Sequence, residues 1–161
     1  MDNALAERFT ALEDIEAIKE LKSIYCYLLD AGVAGDSTKM DELVELFTDD
    51  CLVDFSELGV HQGRKAVADF YKDLVPSTLS YSAHMVSNPM IEVDGKTATG
   101  KWYFIVPCTF RQTAQASWVQ GRYDEEYVKM EGQWKWKSIT ARFDHITPFE
   151  DGWAKTRMVS L

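Results

Sequence analysis

The stretch DIEAIKELKSIYCYLLD, residues 14–30, decides how the rest of the chain is read. Leu12, Ile15, Ile18, Leu21, Tyr25 and Leu28 recur at spacings of three and four, the pattern that lines one face of an α-helix. Gly32 is the expected stop, because a glycine near a helix C-terminus takes the left-handed conformation without penalty. Tyr25 falls among the apolar residues of that face. Asp30 follows five residues later, about 140° around an ideal wheel, which turns it away from Tyr25. An acid at that end also meets the negative pole of the helix dipole, and a neighbouring cationic imidazole would offset the cost.

Working outward, Met40, Leu43, Leu46 and Phe47 predict a second helix, with Ser37 or Thr38 as its cap and Asp41 and Glu42 in the first turn. A third runs from Lys65 to Leu74 with Val67, Phe70, Tyr71 and Leu74 on its buried side, and Pro76 is expected to end it. Between these helices, Cys51 to Phe55 reads as a short strand and Ser56 to Gly63 as a loop. Beyond Pro76 the sequence becomes rich in β-branched and aromatic residues. Tyr81–Val93, Thr97–Phe110, Ser117–Lys129 and Gln133–Ile146 read as strands. Asp94-Gly95 and Glu131-Gly132 are the chemistry of tight hairpin turns, so an antiparallel meander follows. Helices grouped ahead of hairpin-linked strands predict an α+β fold: three N-terminal helices packed on a strongly curved antiparallel sheet that encloses a pocket.

The chain has 161 residues, 46% hydrophobic and 12% aromatic, which suits one packed domain spanning 1–161. Its formal charge of −9 would repel a phosphate backbone or an anionic membrane, so a small apolar molecule is the expected partner. No stretch is long and apolar enough to span a bilayer, and the start is acidic rather than basic, so a cytoplasmic location is expected. Cys26, Cys51 and Cys108 are odd in number, widely spaced and embedded in apolar patterns, which argues for buried thiols over disulfides. The sequence contains no HExxH, GxxxxGK[ST], GxSxG or Rossmann glycine pattern. No metal, nucleotide cofactor or covalent nucleophile is implied.

Three histidines can be weighed singly. His61 lies in a loop and reads as a surface residue, and His145 lies near the end of the last strand. His84 sits inside a strand, with Val86 and Asn88 on its face by alternation. Such a histidine serves either as a packed, hydrogen-bonded group or as a general base, and a base needs a carboxylate to fix its tautomer. Asp30 is the candidate partner. Tyr25 is either core or a hydrogen-bond donor in a pocket, since a buried phenol needs a partner. Arg142 alternates with Thr140 and Asp144, and faces either solvent or an anionic substrate group.

Residues 14–30, together with ATGKWY at 98–103 and GQWKW at 132–136, resemble the SnoaL-like branch of the NTF2-like superfamily. The opening helix is similar to that of the bile acid 7α-dehydratase, scytalone dehydratase and hexachlorocyclohexane dehydrochlorinase group. In that group the motif's tyrosine and aspartate match Tyr25 and Asp30, and the strand histidine matches His84 in YSAHMV. The resemblance implies that Asp30 turns into the pocket, against the ideal wheel, and forms a dyad with His84. The arginine of the group's last strand matches Arg142, and the resemblance implies no cofactor and a homo-oligomer, trimer or dimer; Phe55, Trp102, Phe104 and Val106 are the further expected substrate contacts. Bile acid enzymes carry a further acid in the strand after the tryptophan, whereas residues 104–108 here are apolar, which argues against steroid dehydration specifically.

The expected activity is a cofactor-free lyase of the dehydratase kind. An isomerase or polyketide cyclase on the same scaffold is the first alternative, and a hydrophobic ligand-binding module without catalysis is the second.

Overall fold

The computed structural model describes residues 3–159, so the two ends of the 1–161 span lie outside the described residues. A long helix α1 (Asn3–Val33) is followed by α2 (Ser37–Val44), strand β1 (Phe47–Asp54), a 3-10 turn at Ser56–Leu58 and strand β2 (Val60–Gln62). Helix α3 (Arg64–Asp69) runs through a π-helical turn (Phe70–Leu74) into α4 (Val75–Thr78). Strands β3 (Leu79–Ser82), β4 (Met85–Asp94), β5 (Thr97–Phe110), β6 (Gln115–Met130) and β7 (Gln133–Pro148) follow, with a last short helix α5 (Gly152–Lys155).

The strands form one curled sheet in the order β2-β1-β7-β6-β5-β3, with β4 also paired to β5. It is antiparallel except between β1 and β7, which run parallel, so the expected meander is closed at one side by a returning strand. Alternation along β5 turns Ala98, Trp102, Phe104, Val106 and Cys108 inward, and β6 adds Tyr123 and Tyr127 to the same face. Curvature has a visible cause at Gly121. A Cβ there would stand 2.1 Å from the Arg142 carbonyl oxygen and 2.7 Å from the Phe104 ring. Only glycine lets β6 and β7 approach so closely, and the register shifts at this point, as a bulge does when it bends a strand. The β6–β7 turn carries positive φ at both Glu131 and Gly132, the geometry that fits the twist of a hairpin.

The helices cover the inner face of this sheet. Tyr25, Phe47 and Tyr127 pack around Trp136, with ring centroids 5.3, 5.5 and 5.7 Å from it. Several expected boundaries shift. Gly32 lies within α1, where its missing side chain admits Met40; a Cβ would stand 2.4 Å from the methionine methyl. Gly35, at φ 115, makes the turn instead, and Asp36 N–H to Ala31 O with Gly35 N–H to Gly32 O closes a Schellman motif. The cap of α2 is Asp36, whose carboxylate accepts from Thr38 N–H, rather than Ser37 or Thr38. Pro76 does not end the third helical segment. It sits in the first turn of α4, where its missing N–H costs nothing. The expected loop at 56–63 holds the 3-10 turn and β2, an edge strand paired to β1.

Candidate active site

The expected strand Tyr81–Val93 is broken, and the break makes the site. β3 pairs with β5 at Ser82 and Cys108, and β4 resumes the pairing at Met85 and Ile105. Ala83 N–H donates to Pro107 O at 3.1 Å, but Pro107 has no N–H to return, and the ladder lapses across from it. His84 occupies this gap, so it is not within a strand. Its backbone N–H, directed away from β5 by the alternation of the chain, donates to Asp30 Oδ2 at 2.9 Å.

Asp30 does reach the sheet. Its Oδ1 lies 2.6 Å from His84 Nδ1 and accepts the Ser82 hydroxyl at 2.7 Å. The wheel angle from Tyr25 misleads because the buried stripe of α1 is wide. Cys26 and Val33, both buried, lie only about 40° and 60° from Asp30 at 100° per residue. Asp30 therefore borders the stripe on the side away from Tyr25, beside β3 and β4. Burial pushes its carboxyl upward, but hydrogen bonds from His84 and Ser82, together with the imidazole's charge, outweigh this and hold it below the usual range. An ionised carboxylate only accepts hydrogen bonds, so Nδ1 carries the imidazole proton and Nε2 is the nitrogen left for a substrate.

His84 forms part of the wall of a cavity of about 80 Å³ between the helices and the inner face of the sheet. Phe55, Phe104 and Val106 line it, joined by Leu29, Phe70 and Tyr71 among others. Trp102 and Arg142 are not in that wall. The Trp102 indole N–H donates to Tyr127 Oη at 3.2 Å, and the Arg142 guanidinium pairs with Asp54 at 2.8 Å on an exposed surface. Tyr25 is fully buried behind the wall, its hydroxyl 3.1 Å from that of Tyr71 and its ring edge-on to His84 at 6.4 Å. Ser82 and Tyr71 are the polar members that sequence reasoning missed. Pro107, which marks the strand break, was the available signal for Ser82, and the buried face of the third helix was the signal for Tyr71.

The other histidines lie outside the wall. His61 is half-buried, with Nε2 3.0 Å from Leu58 O and its ring on Phe70, so it is not a plain surface residue. His145 is buried against Trp153, and burial lowers its proton affinity. Beneath the cavity, Lys22 and Glu125 form an ion pair at 2.5 Å with side chains 1% and 0% exposed, and the ammonium sits 3.7 Å from the Tyr123 ring centroid. Glu125 also accepts the Tyr127 hydroxyl. Among the described residues, no group of three or more His, Cys, Asp and Glu converges as a metal would require, and no helix is long and apolar enough to cross a membrane.

The model of the SnoaL-like domain matches residues 10–140. The chain belongs to the SnoaL-like family. An uncharacterized protein of Mycobacterium tuberculosis is 28% identical over 122 residues, covering 75% of this chain and 83% of that one. Among solved structures, a scytalone dehydratase-like protein of Novosphingobium aromaticivorans superposes with a TM-score of 0.78 at 24% identity, covering 88% of this chain and 91% of that chain. Hexachlorocyclohexane dehydrochlorinase LinA-type3 of Novosphingobium barchaimii does so with a TM-score of 0.75 at 20% identity, covering 86% and 91%. These likenesses establish the NTF2-like cone, helices on a strongly curled mixed sheet, and neighbours of this SnoaL-like chain include dehydratase-type and dehydrochlorinase proteins.

Proposed function

We propose that this SnoaL-like protein, one domain over residues 1–161, is a cofactor-independent lyase that eliminates water from a small, neutral, apolar substrate. The observation that carries this reading is the 2.6 Å contact between His84 Nδ1 and Asp30 at the wall of an apolar cavity. His84 Nε2 takes a proton from the carbon next to a carbonyl, and the electron pair of that C–H bond moves onto the carbonyl oxygen. When the pair returns, the β C–O bond breaks, and the leaving oxygen recovers the proton from His84 and departs as water. Asp30 fixes the tautomer and stabilises the imidazolium that forms between the two steps. Phe55, Phe104 and Val106 supply the apolar surface that excludes solvent, and the buried phenols near His84 are the groups able to face the developing charge.

The volume narrows the substrate. About 80 Å³ is far below the roughly 300 Å³ of a pocket for a drug-sized ligand, which favours a single ring or a short chain over a polycyclic skeleton. The wall contains no Lys or Arg side chain, which disfavours a carboxylate or phosphate group on the substrate. The protein acts in the cytoplasm as a homo-oligomer in this reading.

His84→Gln should abolish turnover of the hydroxy ketone found by screening small cyclic compounds, with folding preserved; unchanged turnover would end the assignment. An isomerase would use the same base and return the proton to another carbon. Product mass separates the two, because isomerisation keeps the mass of the substrate and dehydration loses water.

A further inference from the structure

A second hollow opens beside the cavity, and its chemistry differs. Thr78 and Phe110, both half-buried, belong to the walls of both. Beyond them the hollow becomes an open groove of about 560 Å³, lined by Arg111, Gln112, Gln115 and Val159 among others, with room for a single-ring molecule. The chain carries 26 acidic residues against 17 basic ones, yet no Asp or Glu lines this groove.

Arg111 is fixed in place without being neutralised. Its backbone N–H donates to Thr78 O at 2.8 Å, its Nε–H to Pro76 O at 2.8 Å and an Nη2–H to Leu79 O at 3.2 Å. These carbonyls lie at the end of α4, so a capping role accounts for where the side chain runs. That role does not use up the guanidinium. Two of its five N–H groups are spent and three remain. Arg64, Arg122 and Arg142 each pair with a carboxylate, which cancels their charge locally. Among the described residues Arg111 pairs with none, and carbonyl dipoles leave its charge in place. The side-chain amides of Gln112 and Gln115 make no hydrogen bond within the described residues, so each has donors to offer beside the guanidinium.

We propose that this groove binds the carboxylate of a small monobasic organic acid, with Arg111 holding the carboxylate and Phe110 and Val159 covering its apolar body. A planar guanidinium held on one side and free on the other fits the two oxygens of a carboxylate. The formal charge of −9 works against a dianion such as a phosphate monoester, whose second charge one arginine leaves unmatched. The site lies outside the wall that contains His84 and goes beyond the proposed elimination without resting on it. Because Thr78 and Phe110 serve both hollows, the bound acid lies at the entrance to the cavity.

The test titrates benzoate, its neutral counterpart benzamide, and phenyl phosphate into the whole chain, followed by ¹H–¹⁵N NMR. Benzoate should shift the backbone amides of Thr78 and residues 111–115 and bind about tenfold more tightly than benzamide. That is the low end of the value of a hydrogen bond to a charged group, because the groove is open to water. Arg111→Gln should bring benzoate down to the affinity of benzamide and leave benzamide unchanged. Since that variant also removes the α4 cap, Gln115→Glu is the second: it leaves the bonds of Arg111 to the carbonyls alone, and its like charge should weaken benzoate about threefold. Equal affinity for benzoate and benzamide in the wild type would overturn the proposal, and that arm needs no variant to fold. Benzoate shifts confined to the cavity wall, at Val106 and Cys108, would overturn it as well, as would benzoate affinity unchanged in both variants. Tighter binding of phenyl phosphate than of benzoate would overturn the carboxylate assignment. No arm measures turnover, so failure here and failure of the His84 assignment give different results.

Discussion

Pro107 and Ala83 stand opposite each other where the ladder between β3, β4 and β5 lapses. Pro107 O takes the N–H of Ala83 at 3.1 Å and returns none, and His84, next in line, turns its own N–H to Asp30 at 2.9 Å. By alternation the His84 N–H points away from β5, toward α1, where Asp30 meets it. The carboxylate of Asp30 then receives three donors: His84 N–H, His84 Nδ1–H and the Ser82 hydroxyl. Asp30→Ala removes the acceptor for all three at once. It should destabilise the fold by about 1–3 kcal/mol and speed amide exchange at His84, read by denaturant unfolding and hydrogen exchange.

The acid side of the stability curve should report Asp30. Burial raises its carboxyl, but the hydrogen bonds from His84 and Ser82 prevail and the folded-state value is depressed. Stability from a depressed carboxyl is fully present above the unfolded value, about pH 4, and is lost as pH falls through the folded one. Asp30→Asn should therefore flatten the loss of stability below about pH 4. Melting temperatures of both proteins across pH 2–7, at fixed ionic strength, would show this; parallel curves would contradict it.

Lys22 and Glu125 are charged groups withdrawn from water, and their mutual attraction is what makes that tolerable. Lys22→Met leaves Glu125 buried and uncompensated, and should cost about 3–5 kcal/mol in urea unfolding. Adding Glu125→Leu should recover much of the loss, because an apolar pair of similar volume removes both desolvation costs.

All three thiols are buried and free. Burial pushes Cys26 up to about 11 and Cys108 up to about 12, and raises Cys51 as well. The thiolate is the reactive form. Native protein at pH 8 should react with Ellman's reagent hardly at all, and should release about three equivalents once unfolded, matching the three cysteines of the chain. Rapid reaction in the native state would contradict the packing around the cavity, which Cys108 lines.

The helix pattern of residues 14–30 and the hairpin chemistry at Glu131-Gly132 carry the α+β arrangement by themselves, because periodicity and turn residues act over a few positions. The parallel β1–β7 pair was not legible, since nothing local in Phe47–Asp54 specifies a partner over eighty residues away. Asp30 shows the limit of a wheel drawn from one residue: its orientation depends on the width of the buried stripe, which tertiary packing fixes. The candidate site was legible in its aspartate–histidine pair and less so in its walls. Phe55, Phe104 and Val106 lie where an apolar pocket needs them, while Trp102 and Arg142 were drawn to Tyr127 and Asp54, partners distant in sequence. Tyr71 was legible as a buried residue of the third helix but not as part of a cavity wall, which its π turn brings it to.

The most direct measurement is the tautomer of His84, read from its ring nitrogens by ¹⁵N NMR in the free protein at neutral pH. The dyad requires the proton on Nδ1, hydrogen-bonded to Asp30, with Nε2 bare and available to take a proton; Asp30→Asn should change this pattern. A proton on Nε2 with Nδ1 bare, unaffected by Asp30→Asn, would contradict the role given to His84.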